Sequence, residues 1–218
     1  GGTGRQVQLL LEGLDRGRFA PTLFLLRGDG RTHPFAPRGV PTEILGLEAL
    51  IGPDGFRKTV QLARRFRKDR FRIVQTFFQD ATFVGIAAAR LAGVPAGVVA
   101  VRDLLFWTSP LNFAAFRLAT RLAHCVLVNS QAVRERVAAF VPRRKIAVIP
   151  NGIPAPPPDA PRTDATALRA ELGIAPGVPL VVLVSNCNRR VKRVDLLVEA
   201  APLVIRQHPA QFLVVGDG

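Results

Sequence analysis

Four cations and the start of a helix coincide in one stretch near the carboxyl-terminal end of the chain. In NRRVKR, residues 188–193, an apolar run typical of a strand gives way to a helical pattern. A helix N-terminus offers unpaired N–H groups and a partial positive charge, which nearby cations reinforce. The stretch therefore predicts diphosphate binding, and its place after a parallel strand favours this over a solvated basic loop. The cations are Arg189, Arg190, Lys192 and Arg193.

Two further stretches place small or polar residues where a strand meets a helix. GGTG, residues 1–4, lets backbone N–H groups approach a phosphate, although a plain tight turn entering a helix is the more frequent explanation of such a stretch. AVRDLLFW, residues 100–107, puts Arg102 and Asp103 directly after an apolar run, where a carboxylate orients a sugar hydroxyl or caps a helix. Trp107 either stacks on a sugar or fills a core.

Other kinds of site lack the residue spacing they need. His33, His124 and His208 lie far apart, so we predict no metal site. Cys125 and Cys187 have no CxxC partner, which argues against a zinc site or a disulfide framework and favours the cytoplasm. A GxSxG motif is missing, as is the basic and aromatic interleaving of RNA-binding modules, so we expect neither hydrolysis nor a nucleic-acid partner.

The charge balance favours anionic partners without choosing among them. The chain of 218 residues carries a formal net charge of +14. Residues 56–70, FRKTVQLARRFRKDR, form a basic helix that suits either an anionic membrane surface or plain solvation. Eighteen uninterrupted apolar residues occur nowhere, and residues 1–8 do not resemble a signal peptide.

Short apolar runs alternate with helical patterns along the whole chain. This alternation predicts an α/β fold with a doubly wound parallel sheet covered on both faces. We predict helices starting near Val7 and over 55–66, 80–93, 112–122, 131–140, 165–172 and 191–207. We predict strands over 22–26, 71–78, 95–101, 125–130, 145–150, 179–185 and 211–218.

A proline-rich segment divides this pattern. Residues 153–165, IPAPPPDAPRTDA, hold five prolines and read as a stiff linker. We therefore predict an N-terminal domain over 1–152, lacking its first strand, and the start of a second domain over 166–218. Both ends of the chain are expected to be cut.

Five segments, in order, resemble retaining glycosyltransferases of family 4, which have the GT-B fold of two Rossmann-like domains. GGTGRQVQLLLEGL resembles the family's glycine loop and first helix, and KIAVIPNGIP, residues 145–154, its turn between domains. The other three segments are ARLAGVP (89–95), AHCVLVNSQAVRERV (123–137) and VKRVDLLVEAAPLVIRQHPAQFLVVGDG (191–218). In the turn, Gly152 is expected to supply a dihedral that other residues disfavour.

The resemblance implies roles for particular residues. Lys192 matches the family's diphosphate-binding lysine, with Arg189 or Arg190 as its partner, and Arg193 stands where a glycine is usual. Residues implied on the donor side are Gly1, Gly2, Thr3, Arg190, Lys192 and Gly216. Residues implied on the acceptor side are Arg102, Asp103 and Trp107, with Arg102 replacing the family's histidine. Lys192, Arg189 and Asp103 are the expected catalytic residues.

The activity implied is sugar transfer from a nucleotide sugar to a saccharide or lipid-linked acceptor, with retention and without metal or other cofactor. UDP- and GDP-sugars are the expected co-substrates. A nucleotide-sugar epimerase and a non-catalytic nucleotide- or anion-binding module remain alternatives. The donor-binding glutamates of the family would lie beyond Gly218, so we expect this chain alone to be inactive. The expected location is the cytoplasm or the inner face of the plasma membrane.

Overall fold

The computed structural model describes residues 2–28, 37–105, 109–155, 164–187 and 192–217. Backbone contacts divide the chain into two compact units, Gly1–Pro154 and Ala155–Gly218. Most of the predicted linker lies outside the described residues, so the domain assignments stay predictions.

The first unit contains five helices and six strands among its described residues. In chain order these are α1 (Gly2–Gly13), β1 (Leu23–Leu25), β2 (Thr42–Ile44), α2 (Pro53–Lys68), β3 (Ile73–Phe77), α3 (Gln79–Ala92), β4 (Ala96–Val101), α4 (Pro110–Leu122), β5 (Cys125–Val128), α5 (Gln131–Ala138) and β6 (Ile146–Val148). A 3-10 turn, Arg143–Lys145, leads into β6. Strand β2 was not predicted, because three residues that include Glu43 show no apolar run.

The described part of the second unit has the order α6 (Ala165–Glu171), β7 (Leu180–Val184), α7 (Val194–Ile205) and β8 (Gln211–Val215). Strand β7 pairs with β8 in parallel, in register from Leu180 with Gln211 to Val184 with Val215. The prediction of helix, strand, helix and strand is confirmed, with each element slightly shorter than predicted.

Every strand pair is parallel, as the sequence predicts. In the first unit, β3, β4, β5 and β6 form one sheet in that order, and β1 pairs with β2 in a second. Helical crossovers between neighbouring strands bring all four carboxyl ends of the larger sheet to one edge. Residues that directly follow β3, β4, β5 and β6 are therefore neighbours at this edge, although they are far apart in sequence.

Two apolar clusters fill the first unit. One joins the inner strands to α4 and α5 through fully buried side chains such as Val99, Val126 and Val137. The other packs α2 and α3 against β3, and includes Leu62, Phe66 and Val74. The strands need continuous apolar runs because helices cover both faces of the sheet.

Local signals set the ends of several helices. The Ser130 hydroxyl accepts a hydrogen bond from the Val133 N–H at 3.3 Å and so caps the N-terminus of α5. The Ser109 hydroxyl does the same for the Asn112 N–H at the start of α4. Gly93 ends α3 with a left-handed φ of 72°. None of the described helices combines the length and apolarity that crossing a bilayer requires.

Candidate functional site

Polar side chains from neighbouring strands meet at the carboxyl edge of the β3–β6 sheet. Arg102 follows β4, Asn129 follows β5 and Asn151 lies three residues beyond β6. The Arg102 Nη2 atom donates to Oδ1 of Asn151, and Nδ2 of Asn129 donates to the Arg102 carbonyl at 3.3 Å. Residues far apart in sequence are thereby joined into one polar cluster.

The Arg102 guanidinium is partly withdrawn from water in this cluster. The residue is half-buried, and desolvation lowers the pKa of its guanidinium from the ordinary value. An arginine remains charged even so. Water screens the charge of Arg102 less than it screens the charge of a surface arginine. The Arg102 charge therefore acts more strongly on an anion or a hydroxyl at the sheet edge.

Gln6 in α1 clamps the backbone of the turn after β6. Its Nε2 atom donates to the Gly152 carbonyl at 2.6 Å, and its Oε1 atom accepts from the Gly152 N–H at 2.9 Å. Gly152 was expected to supply a dihedral that other residues disfavour, but it is not among the glycines with positive φ. The side-chain amide holds the turn instead, from 146 residues away.

The glycine loop lies at the start of the clamped helix. Gly2 begins α1 and is exposed, and Thr3 is half-buried. A Cβ added at Gly2 would have nothing within 4 Å, so open space adjoins the helix N-terminus. Gly1 lies outside the described residues.

Asp103 holds the loop that follows β4. Its Oδ1 atom accepts from the Leu105 N–H at 2.9 Å, and Leu105 is buried with a positive φ of 59°. The carboxylate thus stabilises a tight turn instead of capping a helix. Trp107, assigned to the acceptor side, lies outside the described residues.

In the second unit, the segments after β7 and β8 run together. The Ser185 N–H donates to the Val215 carbonyl at 3.0 Å, and the Cys187 N–H donates to the Asp217 carbonyl at 2.8 Å. Gly216 permits this contact, because a Cβ there would lie 1.7 Å from the Ser185 carbonyl oxygen. The Ser185 Oγ atom is buried and has no hydrogen-bond partner in the described part of the chain.

The predicted diphosphate site is only partly described. Lys192 is exposed two residues before α7, whereas Arg189 and Arg190 lie outside the described residues. Arg193 adopts a left-handed φ of 49° as the N-cap residue of α7, and its guanidinium lies 3.1 Å from the Asp195 carboxylate. The hydrogen bond with Asp195 raises the pKa of Arg193, and the same bond lowers the pKa of Asp195.

The sequence did not indicate Gln6, Asn129 or Asn151 as site residues. The two asparagines carried a usable signal, since each lies just after a predicted strand of a parallel sheet. Gln6 carried none, because its partner is a backbone group at the far end of the unit. In the described ranges, no group of three or more His, Cys, Asp or Glu side chains is arranged to hold a metal ion.

Comparison with known proteins assigns the first unit. A family model, the Glycosyl transferase 4-like domain, matches residues 1–152, more than half of the chain. The chain belongs to this family. The predicted relation to family 4 glycosyltransferases is therefore confirmed. No curated protein sequence matches the chain significantly.

Solved structures extend the fold assignment beyond the first unit. The structure of Anabaena Alr3699/HepE in complex with UDP and glucose is 24% identical with a TM-score of 0.60, covering 82% of this chain and 48% of that one. The apo form of the lipopolysaccharide outer core galactosyltransferase WaaB is 16% identical with a TM-score of 0.64, covering 100% and 58%. Such similarity establishes the fold, which is GT-B, as predicted. The chain spans about half the length of these neighbours.

Proposed function

We propose that the whole protein transfers a hexose from a nucleotide sugar to a hydroxyl group of a saccharide or lipid-linked acceptor, with retention of configuration and without a metal. The observation that carries the proposal is the family match over the unit whose carboxyl edge joins Gln6, Arg102 and Asn151. Open α/β sheets bind ligands at this edge.

The donor is assigned to the second unit. Lys192 is an exposed cation at the start of α7, and Gly216 lets the neighbouring segments approach closely. An ammonium beside a helix N-terminus suits a diphosphate. HepE, a neighbour of the same fold, was solved with UDP and glucose, which supports a nucleoside diphosphate as the leaving group.

In the proposed reaction, the bond between the anomeric carbon and the diphosphate oxygen breaks as the acceptor oxygen bonds to the same carbon on the same face. The acceptor proton passes to the departing phosphate oxygen. Negative charge grows on the diphosphate, where Lys192 and a neighbouring arginine stabilise it.

Arg102 is proposed to bind and orient the acceptor. Its guanidinium is held by Asn151, and Asn129 holds its backbone, so little conformational freedom is lost when a hydroxyl binds. Asp103 contributes indirectly by fixing the loop through its bond to the Leu105 N–H.

Calorimetry of the full-length protein with UDP and with GDP tests the donor assignment. We expect micromolar affinity for one of them, reduced at least about tenfold by Lys192→Ala because a charge-assisted contact is lost. The matched control is Lys68→Ala, another exposed lysine, which should bind the nucleotide unchanged. Binding of neither nucleotide, or equal effects of the two variants, would refute the assignment.

A turnover assay on the same full-length protein distinguishes sugar transfer from epimerisation and from non-catalytic binding. Incubation with the nucleotide sugar alone, followed by NMR of its anomeric proton, should leave the donor unchanged apart from slow hydrolysis. Appearance of an epimeric nucleotide sugar would indicate an epimerase. Nucleotide binding without turnover, with any cellular saccharide or lipid fraction as acceptor, would indicate a non-catalytic module.

We propose as well that α2 contacts an anionic membrane from the cytoplasmic side. A groove of about 420 Å³ between α2 and α3 is lined by apolar Val60, Ala63 and Leu91 and by the cations Arg64, Arg67 and Lys68. Ile51 and Phe56, near the start of the same helix, are 81% and 73% exposed. Exposed apolar groups beside cations suit a surface of anionic lipids.

Vesicle sedimentation tests this contact. The substitutions Arg64→Gln and Lys68→Gln remove exposed charges but keep Arg65, which pairs with Glu43 and Asp69 and so supports the fold. We expect weaker binding to vesicles containing phosphatidylglycerol, and the binding of the native protein should fall with added salt. The control is Arg121→Gln with Arg144→Gln, which also removes two exposed charges. Equal binding by both double variants would exclude a role for this surface.

A further inference from the structure

Phe78 leaves strand β3 in a backbone conformation that bulky residues rarely adopt. Its φ is 69° and its ψ is 160°, in a region occupied almost entirely by glycine. A phenylalanine here is strained, because its Cβ crowds the neighbouring carbonyl groups. Strained residues of this kind concentrate at binding and catalytic sites.

The strain changes the direction of the side chain. Val74 and Thr76 point into the core, and the two-residue repeat of a strand would place Phe78 on the same side. Instead the positive φ turns the chain, and the Phe78 ring is 64% exposed. The conformation therefore presents to water an aromatic ring that a regular strand would bury.

Two buried threonines hold this conformation. The Phe78 carbonyl accepts hydrogen bonds from the Thr82 N–H at 3.0 Å and from the Thr82 hydroxyl at 2.8 Å. The hydroxyls of Thr76 and Thr82 lie 3.3 Å apart, and Thr76 also donates to the Val98 carbonyl at 3.3 Å. Both threonines are at least 95% inaccessible to solvent. The buried threonines thus hold the Phe78 backbone in the conformation that exposes the side chain.

The ring lies at the edge proposed to bind the acceptor. Phe77 pairs with Ala100, so Phe78 leaves the sheet within two residues of the point where Arg102 leaves β4. Beyond β6, on the same edge, Ile149 is 57% exposed. The exposed Phe78, the partly desolvated guanidinium of Arg102 and the apolar Ile149 consequently follow strand ends at the same carboxyl edge of the sheet.

We propose that Phe78 binds the apolar C–H face of a pyranose ring in the acceptor, while Arg102 hydrogen-bonds its hydroxyl groups. The proposal rests on the glycosyltransferase function proposed above. The face of an aromatic ring carries partial negative charge, which attracts the weakly positive C–H groups of a sugar. The backbone that carries the ring is already fixed and a phenylalanine has only two side-chain torsions, so stacking costs less conformational entropy than it would on a mobile segment.

The experiment compares four forms of the full-length protein: native, Phe78→Tyr, Phe78→Leu and Phe78→Gly. Saturation-transfer NMR and titration use methyl β-D-galactopyranoside and methyl β-D-glucopyranoside as probes, with the nucleotide present. We expect at least one glycoside to bind the native and tyrosine forms equally. The leucine and glycine forms should bind it about fivefold more weakly, because the stacking ring is lost.

Thermal unfolding separates this role from a structural one. Glycine adopts the observed dihedrals without strain, so Phe78→Gly should raise the unfolding midpoint while it weakens sugar binding. A lower midpoint in the glycine variant would overturn the argument from strain. Lack of glycoside binding by the native protein, or equal binding by the leucine variant, would overturn the proposed stacking. The proposed stacking would also be overturned if the leucine and glycine variants lost vesicle binding but kept the glycoside affinity of the native protein, because the ring would then contact a membrane.

Nucleotide calorimetry on the same four proteins keeps the two proposals apart. Affinity for UDP or GDP should be the same in all four forms, because Phe78 belongs to the first unit and the donor contacts are assigned to the second. If the nucleotide binds but the Phe78 variants do not show the expected loss of glycoside affinity, only the proposed role of Phe78 is wrong. If the native protein binds neither nucleotide, the donor assignment fails independently of Phe78.

Discussion

The carboxyl edges of the two units are built by different means. In the first unit, side chains join segments that are distant in sequence, as Gln6 joins Gly152 and Arg102 joins Asn151. In the second unit, the described contacts at this edge are mainly between backbone groups, and the close approach depends on Gly216. We therefore expect a single substitution to lower the stability of the first edge only by the hydrogen bonds it removes. A substitution of Gly216 should lower the stability of the second edge by a larger amount.

The largest effect is expected from Gly216→Ala. Its Cβ would lie 1.7 Å from the Ser185 carbonyl oxygen, so β8 or the segment after β7 must move. We expect a loss of about 3 kcal/mol in the stability of the second unit, as for strong overpacking, together with weaker nucleotide binding. Urea unfolding and calorimetry measure both quantities.

Gly13→Ala is the matched control, because nothing lies within 4 Å of a Cβ at that position. Its stability and nucleotide affinity should stay close to those of the native protein. Native behaviour of Gly216→Ala would show that the second edge adapts as readily as the first.

A smaller effect is expected from Gln6→Ala at the first edge. Two reciprocal hydrogen bonds to Gly152 are lost, and water replaces part of their energy because the turn is exposed. We expect a loss of about 1–2 kcal/mol in stability and faster hydrogen exchange at the Gly152 amide.

Gln8→Ala provides the comparison, since Gln8 bonds only to Arg5 and Glu12 within or beside the same helix turn. Exchange at Gly152 should not change in that variant. Equal exchange in the two variants would mean that the clamp does not hold the turn.

Arg193→Gly tests backbone strain in the second unit. Arg193 has a left-handed φ of 49°, which costs a non-glycine residue about 1–2 kcal/mol. Glycine removes this cost but loses the exposed pair with Asp195 and adds disorder to the unfolded chain. We expect a small net gain in stability, seen as a higher urea midpoint; a lower midpoint would show that the pair outweighs the strain.

The smallest effects are pH-dependent, and each unit offers one. The hydrogen bond from Arg57 is the main cause of the lowered pKa of Asp54 in the first unit, and the bond from Arg193 does the same for Asp195 in the second. A carboxylate whose pKa falls on folding stabilises the protein above its unfolded pKa of about 3.9, and this stabilisation disappears as the pH falls through the folded pKa.

Asp54→Asn and Asp195→Asn should therefore destabilise their units near pH 6 and much less near pH 3. Urea unfolding across this range, followed by a probe in each unit, checks the expectation. A difference from the native protein that is constant with pH would show that the charges contribute nothing through these pairs.

Periodicity predicted most of the fold because its signals are local. Apolar runs such as 96–101 and 125–128 have to be buried on both faces, and Ser130 marks a helix start by its own hydrogen bond. Strand β2 escaped prediction because its pairing with β1, together with the ion pair between Glu43 and Arg65, involves residues from other elements.

The candidate site was predicted less completely. Residue type and position after a strand selected Arg102, and the structure joins it to Asn151. The same reasoning selected Asp103, whose carboxylate holds the Leu105 N–H. The role of Lys192 as diphosphate ligand stays a prediction, as do the roles of Gly1, Arg189, Arg190 and Trp107 outside the described residues.

The sequence by itself determined the α/β class and the parallel strands, because both follow from local patterns of residue type, and it indicated the family through the resemblance of five segments. Only the tertiary structure decided that Gln6 clamps Gly152 and that Phe78 turns outward. The Gln6 bond spans 146 residues, so no local pattern of residue types indicates it. The Phe78 backbone is held by the nearby hydroxyls of Thr82 and Thr76, whose burial is decided by packing and not by a helix or strand period.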